Sequence, residues 1–184
     1  MKLLFNLVII IRKEFVIPEK VNIEVKDMEI IVKGPKGELR KTFDDPRYNK
    51  SISIEKADGK MVISCESEKR KIRAMVGTIA SHARNMSIGV TNGFEQKMKI
   101  FYSHFPITAE VKGNVVHIKN FLGEKSIRSA NIAGKTKVDV KKDDVILSGI
   151  DKEGVGETAS NIERACRLSK RDRRIFFDGI YISK

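Results

Sequence analysis

The sequence predicts an α+β protein made of two tandem duplicated domains, each a mainly antiparallel sheet with one amphipathic helix packed on one face. Three observations predict it. The chain repeats itself after 86 residues, each copy is β-rich in its first part, and each then changes to a helical period.

Shifting the sequence by 86 residues lays EVKDMEIIVKGPKGE (Glu24–Glu38) on EVKGNVVHIKNFLGE (Glu110–Glu124), with identity at six of fifteen positions. The matched pairs are Glu24/Glu110, Val25/Val111, Lys26/Lys112, Lys33/Lys119, Gly37/Gly123 and Glu38/Glu124. The same register carries Ile52 and Ile54 onto Val138 and Val140, Val76 onto Ile162, and Gly93 onto Gly179. These matches predict an N-terminal α+β repeat over 1–94 and a C-terminal α+β repeat over 95–184, each small but large enough for a core of its own.

Taken in order, the apolar run Leu3–Ile11 has the look of a signal-peptide core. However, Asn6 interrupts it, Arg12-Lys13-Glu14 ends it, and no small-residue cleavage site follows. Nine residues are too few to span a bilayer, and their Leu, Phe, Val and Ile content favours a buried strand. Val21–Val32 alternates imperfectly but is rich in β-branched residues, and Gly34-Pro35-Lys36-Gly37 is turn chemistry. Ser51–Glu55, the Asp58-Gly59 turn and Met61–Ser64 make a hairpin. Ile72, Met75, Val76, Ile79, Ala80, Ala83 and Met86 then form one stripe on a helix of about five turns. In the second copy Ala159, Ile162, Ala165 and Cys166 repeat that stripe. Sequential strands joined by short turns favour antiparallel pairing.

Lys and Arg number 36 against 24 acids, a net +12 with a pI near 9.7. That balance favours a polyanionic partner, since each phosphate neutralised releases condensed counterions, although an acidic membrane would also attract it. Cys65 and Cys166 have no CxxC companion and read as small apolar residues of a reduced protein. His82, His104 and His117 share no metal-ligand spacing. GVGET (Gly154–Thr158) lacks the third glycine of a dinucleotide loop and reads as the start of the second helix. NFLGEKS (Asn120–Ser126) lacks the first glycine and the placed lysine of a phosphate loop. The Asp143-Asp144 pair falls in a turn. No catalytic set, metal or cofactor is expected.

Three basic segments are candidate binding sites. Arg167, Lys170, Arg171, Arg173 and Arg174 crowd eight positions with one acid, Asp172. Ser169 and Asp172 have the spacing of a capping box that would present these guanidinium groups from a short helix. Lys69, Arg70, Lys71 and Arg73 sit at the start of the first helix, where cations oppose the helix dipole. In the third, Asn120, Phe121, Leu122 and Gly123 lie beside Lys119, Lys125 and Arg128. There an aromatic among cations could stack on an unpaired base, or Phe121 could plug the edge of the sheet.

Read together, VKGPKGELRKTF, SHARNMSIGVTNGFEQKM, FYSHFPI, VHIKNFLGEKSIR and FFDGIYIS occur in this order. They resemble the universal large-subunit ribosomal protein six family (called nine in eukaryotic numbering), in its eukaryotic and archaeal form. The resemblance runs from about Val16 to Ser183. It implies two similar domains and no enzymatic activity. It also implies a structural constituent of the large subunit that binds ribosomal RNA near the sarcin–ricin loop, on the factor-binding side, mainly through the second domain. The expected partners are large-subunit ribosomal RNA and neighbouring ribosomal proteins, in cytosolic ribosomes, with no membrane and no homo-oligomer. The chain departs from the family's pattern around Cys65–Arg70, where it is shorter, and over Ser129–Lys137, which lacks an Arg- and Pro-rich pattern. The competing reading is a free RNA-binding or regulatory protein outside the ribosome.

Overall fold

The computed structural model describes residues 10–49, 51–57, 59–67, 69–168, 172 and 175–183. The chain divides into two compact units, Met1–Asn92 and Gly93–Lys184. In the first, β1 (Ile10–Val16), β2 (Asn22–Lys26), β3 (Glu29–Gly34), β4 (Gly37–Thr42), β5 (Ile52–Ala57) and β6 (Lys60–Glu66) precede α1 (Arg70–Thr91). They form two three-stranded sheets, β1-β6-β5 and β2-β3-β4. In the second, β7 (Phe94–Phe101), β8 (Thr108–Lys112), β9 (Val115–Lys119), β10 (Arg128–Asn131), β11 (Lys137–Lys141) and β12 (Asp144–Gly149) precede α2 (Lys152–Ala165) and β13 (Gly179–Ile182). Their sheets are β11-β12-β7-β13 and β10-β9-β8. Every strand pair described is antiparallel.

The fold is the expected tandem α+β, with two small sheets per unit where the repeat suggested one. The imperfect alternation of Val21–Val32 has a local cause. Ile30, Ile31 and Val32 are consecutive and all buried; Ile30 and Val32 join the first core, while Ile31 is paired in register with Glu24 and Arg40. The hairpin of β5 and β6 pairs Ile54 with Ile63 and Ser53 with Ser64, whose hydroxyls are 2.7 Å apart. The apolar N-terminal run becomes a strand only from Ile10, as β1 pairs along β6; Leu3–Ile9 of that run lie outside the described residues.

Helix α1 buries Ile72, Val76, Ile79, Ala83, Met86 and Val90 on the first core, extending the expected stripe by one turn. It stops where Gly93 enters the left-handed region at φ 76°, a conformation that glycine adopts without a Cβ clash. Helix α2 is shorter and better capped. The Asp151 carboxylate accepts from the Glu153 and Gly154 backbone N–H groups at 3.0 and 3.2 Å, satisfying donors that the helix cannot. GVGET therefore lies inside the first turns of α2. The second core gathers Met98, Ile100, Ile118, Phe121, Leu147, Ile162 and Ile180 from all its layers.

Ser169 of the expected capping box lies outside the described residues. Nearby, the Asp172 carbonyl accepts from the Ile175 and Phe176 N–H groups in a single turn.

One contact joins α1 to the β3–β4 turn of the first unit. A Cβ on Gly34 would stand 2.6 Å from a Val90 methyl and 3.0 Å from the Val90 carbonyl oxygen, and the Lys36 N–H donates to that same carbonyl at 2.9 Å. Gly77, in mid-helix, has nothing within 4 Å of its would-be Cβ. Gly34→Ala is expected to cost about 1–3 kcal/mol by forcing the turn off the helix. Gly77→Ala should add about 0.8–1 kcal/mol through helix propensity. Urea titration followed by circular dichroism separates the two, and equal midpoints for both variants would contradict the close approach.

Candidate nucleic-acid interface

The second unit builds its most irregular backbone where β9 ends. Asn120 and Leu122 take left-handed conformations (φ 57° and 52°), and Gly123 follows at φ 74°, closing a single 3-10 turn over Phe121–Gly123. Left-handed non-glycine residues are costly, so something must hold them. One support is the Asn120 amide, which donates to the Pro106 carbonyl at 3.1 Å. Another is Phe121, whose ring is fully buried in the second core.

The burial of Phe121 corrects one expectation. The ring is not offered to a base; it faces the sheet interior, and hydrophobic burial holds it there. The aromatic at this surface is Phe105, 47% exposed, whose ring lies 3.3 Å from where a Gly123 Cβ would be. A Cβ at this left-handed position would be strained and would press on the Phe105 ring, which glycine avoids. Phe105 has no Lys or Arg beside it in the sequence; the loop reaches it only through the tertiary fold. The FYSHFPI and NFLGEK strings thus meet on one surface.

Arg128 is engaged within the protein. Its Nε and Nη2 donate to the two Glu124 carboxylate oxygens at 3.0 and 2.7 Å, and Nη1 donates to the Ala165 and Arg167 carbonyls at 2.9 and 3.2 Å. The guanidinium also lies 4.1 Å from the centroid of Phe121. Four of its five N–H donors are therefore engaged within the protein. Arg128 closes the C-terminal end of α2, where a cation complements the helix dipole, and it holds the Glu124 loop against that end.

Lys119 is also partnered, donating to Glu110 at 2.7 Å, and this bond with the lysine's charge holds the Glu110 carboxyl below the usual carboxylate range. The first unit has the same pair, Lys33 on Glu24 at 2.8 Å, with the same depression of the Glu24 carboxyl. Two of the six identities between the copies are thus a repeated cross-strand ion pair, which gives Lys119 a structural reason to be lysine. Of the loop candidates, Asn120, Gly123 and Lys125 are exposed, as is Arg167 just beyond α2. Lys170, Arg171, Arg173 and Arg174 lie outside the described residues.

Lys69, Arg70 and Lys71 belong to the first unit, exposed at the start of α1, whose first turn contains no acid and whose capping residue Lys69 makes no side-chain cap. Among the described residues no three His, Cys, Asp or Glu side chains gather to hold a metal, and no helix is long and apolar enough to cross a membrane. Cys65 and Cys166 are free and buried; burial raises both thiols, Cys166 to about 11, so neither is poised as a nucleophile.

Arg128→Lys keeps the charge but loses the two-pronged bond to Glu124 and the bridging of two carbonyls. We predict a loss of about 2–4 kcal/mol in the stability of the second unit. Amide hydrogen exchange at the end of α2 would report it, and unaltered protection there would show that the guanidinium does not hold the helix.

The comparisons agree with this architecture. The family model described as "Ribosomal protein L6" matches the chain twice, over residues 17–93 and 105–179. Large ribosomal subunit protein uL6 of Methanocella arvoryzae is 46% identical over 93% of this chain and 95% of its own length. The uL6 protein of Staphylothermus marinus is 48% identical (94% and 93% covered), and that of Desulfurococcus amylolyticus is 49% identical (90% of each). With both repeats matched and relatives aligned nearly end to end, the chain belongs to the ribosomal protein L6 family.

Proposed function

We propose that this chain is a structural constituent of the large ribosomal subunit in cytosolic ribosomes. In this reading it catalyses nothing and binds large-subunit ribosomal RNA near the sarcin–ricin loop, on the factor-binding side, chiefly through the second unit. The observation that carries the RNA-binding part is the meeting of Phe105 with the Asn120–Gly123 loop. Together they form a rigid exposed surface with an aromatic ring, left-handed backbone and Lys125 close by in sequence. Such a surface can stack an unpaired base and bind its phosphates, which is how proteins read unpaired RNA.

The residues divide by task. Asn120, Gly123, Lys125 and Phe105 touch the RNA, joined by Arg167 and the basic run Lys170, Arg171, Arg173 and Arg174. Lys119, Phe121 and Arg128 position them. Neighbouring large-subunit proteins are the other partners, and the chain acts as a single copy.

Sedimentation tests the assembly. After a high-salt wash that strips loosely held proteins, the chain should remain at one copy per large subunit; recovery only in the free fractions would favour a free RNA-binding or regulatory module instead. Binding tests the surface. Phe105→Leu keeps an apolar group against Gly123 but removes the stack, and should weaken binding to a sarcin–ricin-region fragment by about 1–3 kcal/mol. Arg171→Glu with Arg174→Glu should lower the slope of log affinity against log salt by about one for each phosphate no longer neutralised. An unaltered slope would place the phosphate-binding groups elsewhere on the protein.

A further inference from the structure

We infer that the first unit has an RNA contact of its own: a groove beside the start of α1 that receives one unpaired nucleotide. The inference rests on the ribosomal RNA-binding reading above and gives it a second point of attachment. The groove has a volume of about 720 Å3, within the roughly 300–1,000 Å3 of sites that enclose small organic groups. Its floor is apolar: Ile72 is buried in the first core, and Tyr48 and Met75 pack against that core with part of each side chain accessible. Its rim is cationic, formed by Arg47, Lys69, Arg70 and Lys71, all exposed. No acid is among the described residues that line it.

The rim and floor are held by separate devices. The Tyr48 N–H donates to the Asp45 carbonyl at 3.1 Å, and the Tyr48 carbonyl accepts from the Ser51 and Ile52 N–H groups at 2.9 and 3.1 Å, fixing the backbone at the head of β5, while the ring packs on the first core. Asp45 accepts from the Arg47 backbone N–H and guanidinium, so the arginine is oriented before any ligand arrives. Lys69, Arg70 and Lys71, which also line the groove, stand at the positive end of the α1 dipole with no acid in the first turn. That arrangement costs stability in the free protein and is relieved when an anion docks.

A flat apolar face flanked by negative charge is what this groove complements, and a nucleotide has both in one unit: a base for the Tyr48–Met75 floor and phosphates for the rim. The net charge of +12 favours a polyanion over a neutral apolar ligand.

The test uses the full-length chain with large-subunit ribosomal RNA. In R70E/K71E the new acids sit at a helix start, where they suit the dipole, so the melting temperature should stay level or rise. Affinity should fall by about tenfold or more, with the salt slope reduced by about 1.5–2. Ultraviolet crosslinking of the wild-type complex, mapped by mass spectrometry, should place a nucleotide adduct on Tyr48. Unchanged affinity and slope in R70E/K71E, with the wild type binding normally, would overturn the groove and leave the second-unit reading standing. Weakened binding without an adduct on Tyr48 would overturn the nucleotide assignment, leaving surface phosphate contacts only. An acidic peptide of a neighbouring protein crosslinked to Tyr48 in assembled subunits would overturn it in favour of a protein partner. Failure of the wild-type chain to bind the RNA at all would overturn this inference and its parent reading together.

Discussion

The second unit depends on a single guanidinium. Arg128 joins the end of α2 to the loop that carries both Glu124 and the buried ring of Phe121. Each needs the others. The carbonyls at the end of a helix lack intrahelical donors, a partly buried carboxylate needs a counter-charge, and the face of an aromatic ring attracts a cation. One planar group with five donors answers all three, and in doing so gives the loop a fixed seat. A loop ordered in advance does not have to spend free energy on ordering when a partner docks.

The two copies show which parts of the repeat are scaffold. Glu24–Lys33 and Glu110–Lys119 are the same cross-strand pair, and Gly37 and Gly123 both stand at positive φ at the same point in the register. These identities keep a meander in shape. What distinguishes the second copy is its longer connection: Arg128 pairs with Ile118 where the first copy pairs Leu39 with Val32, and a 3-10 turn with left-handed residues replaces the plain β-turn between β3 and β4. Duplication preserved the sheet while the loop between β9 and β10 diverged.

Much of this was legible in the residues. The apolar stripe of α1 and the β5–β6 hairpin are local patterns, and local patterns survive folding because burial selects one face of a helix or a strand. The site was less so. Phe121 and Phe105 are both aromatics in turn-rich segments, and nothing nearby in the chain tells which faces inward. That is decided by the approach of Asn120 to Pro106, fourteen residues away. In the same way, the cations around Arg128 look alike in sequence until the carbonyls of α2 arrive at one of them. Long-range geometry, not composition, separates an anchor from a scaffold.

The placement of β13 bears on how the protein is made. β7 opens the second unit, yet it lies inside the sheet, hydrogen-bonded to β12 on one edge and to β13 on the other. Pairing Phe101 with Gly179 joins residues at opposite ends of the unit, so this sheet closes late and through non-local contacts. During synthesis the first unit has every strand and its helix in hand by Thr91, while the second must wait for Gly179–Ile182 to leave the ribosome that is making it. The second unit therefore completes its fold only after nearly all of it has been translated, whereas the first can close its sheets while the second is still being made.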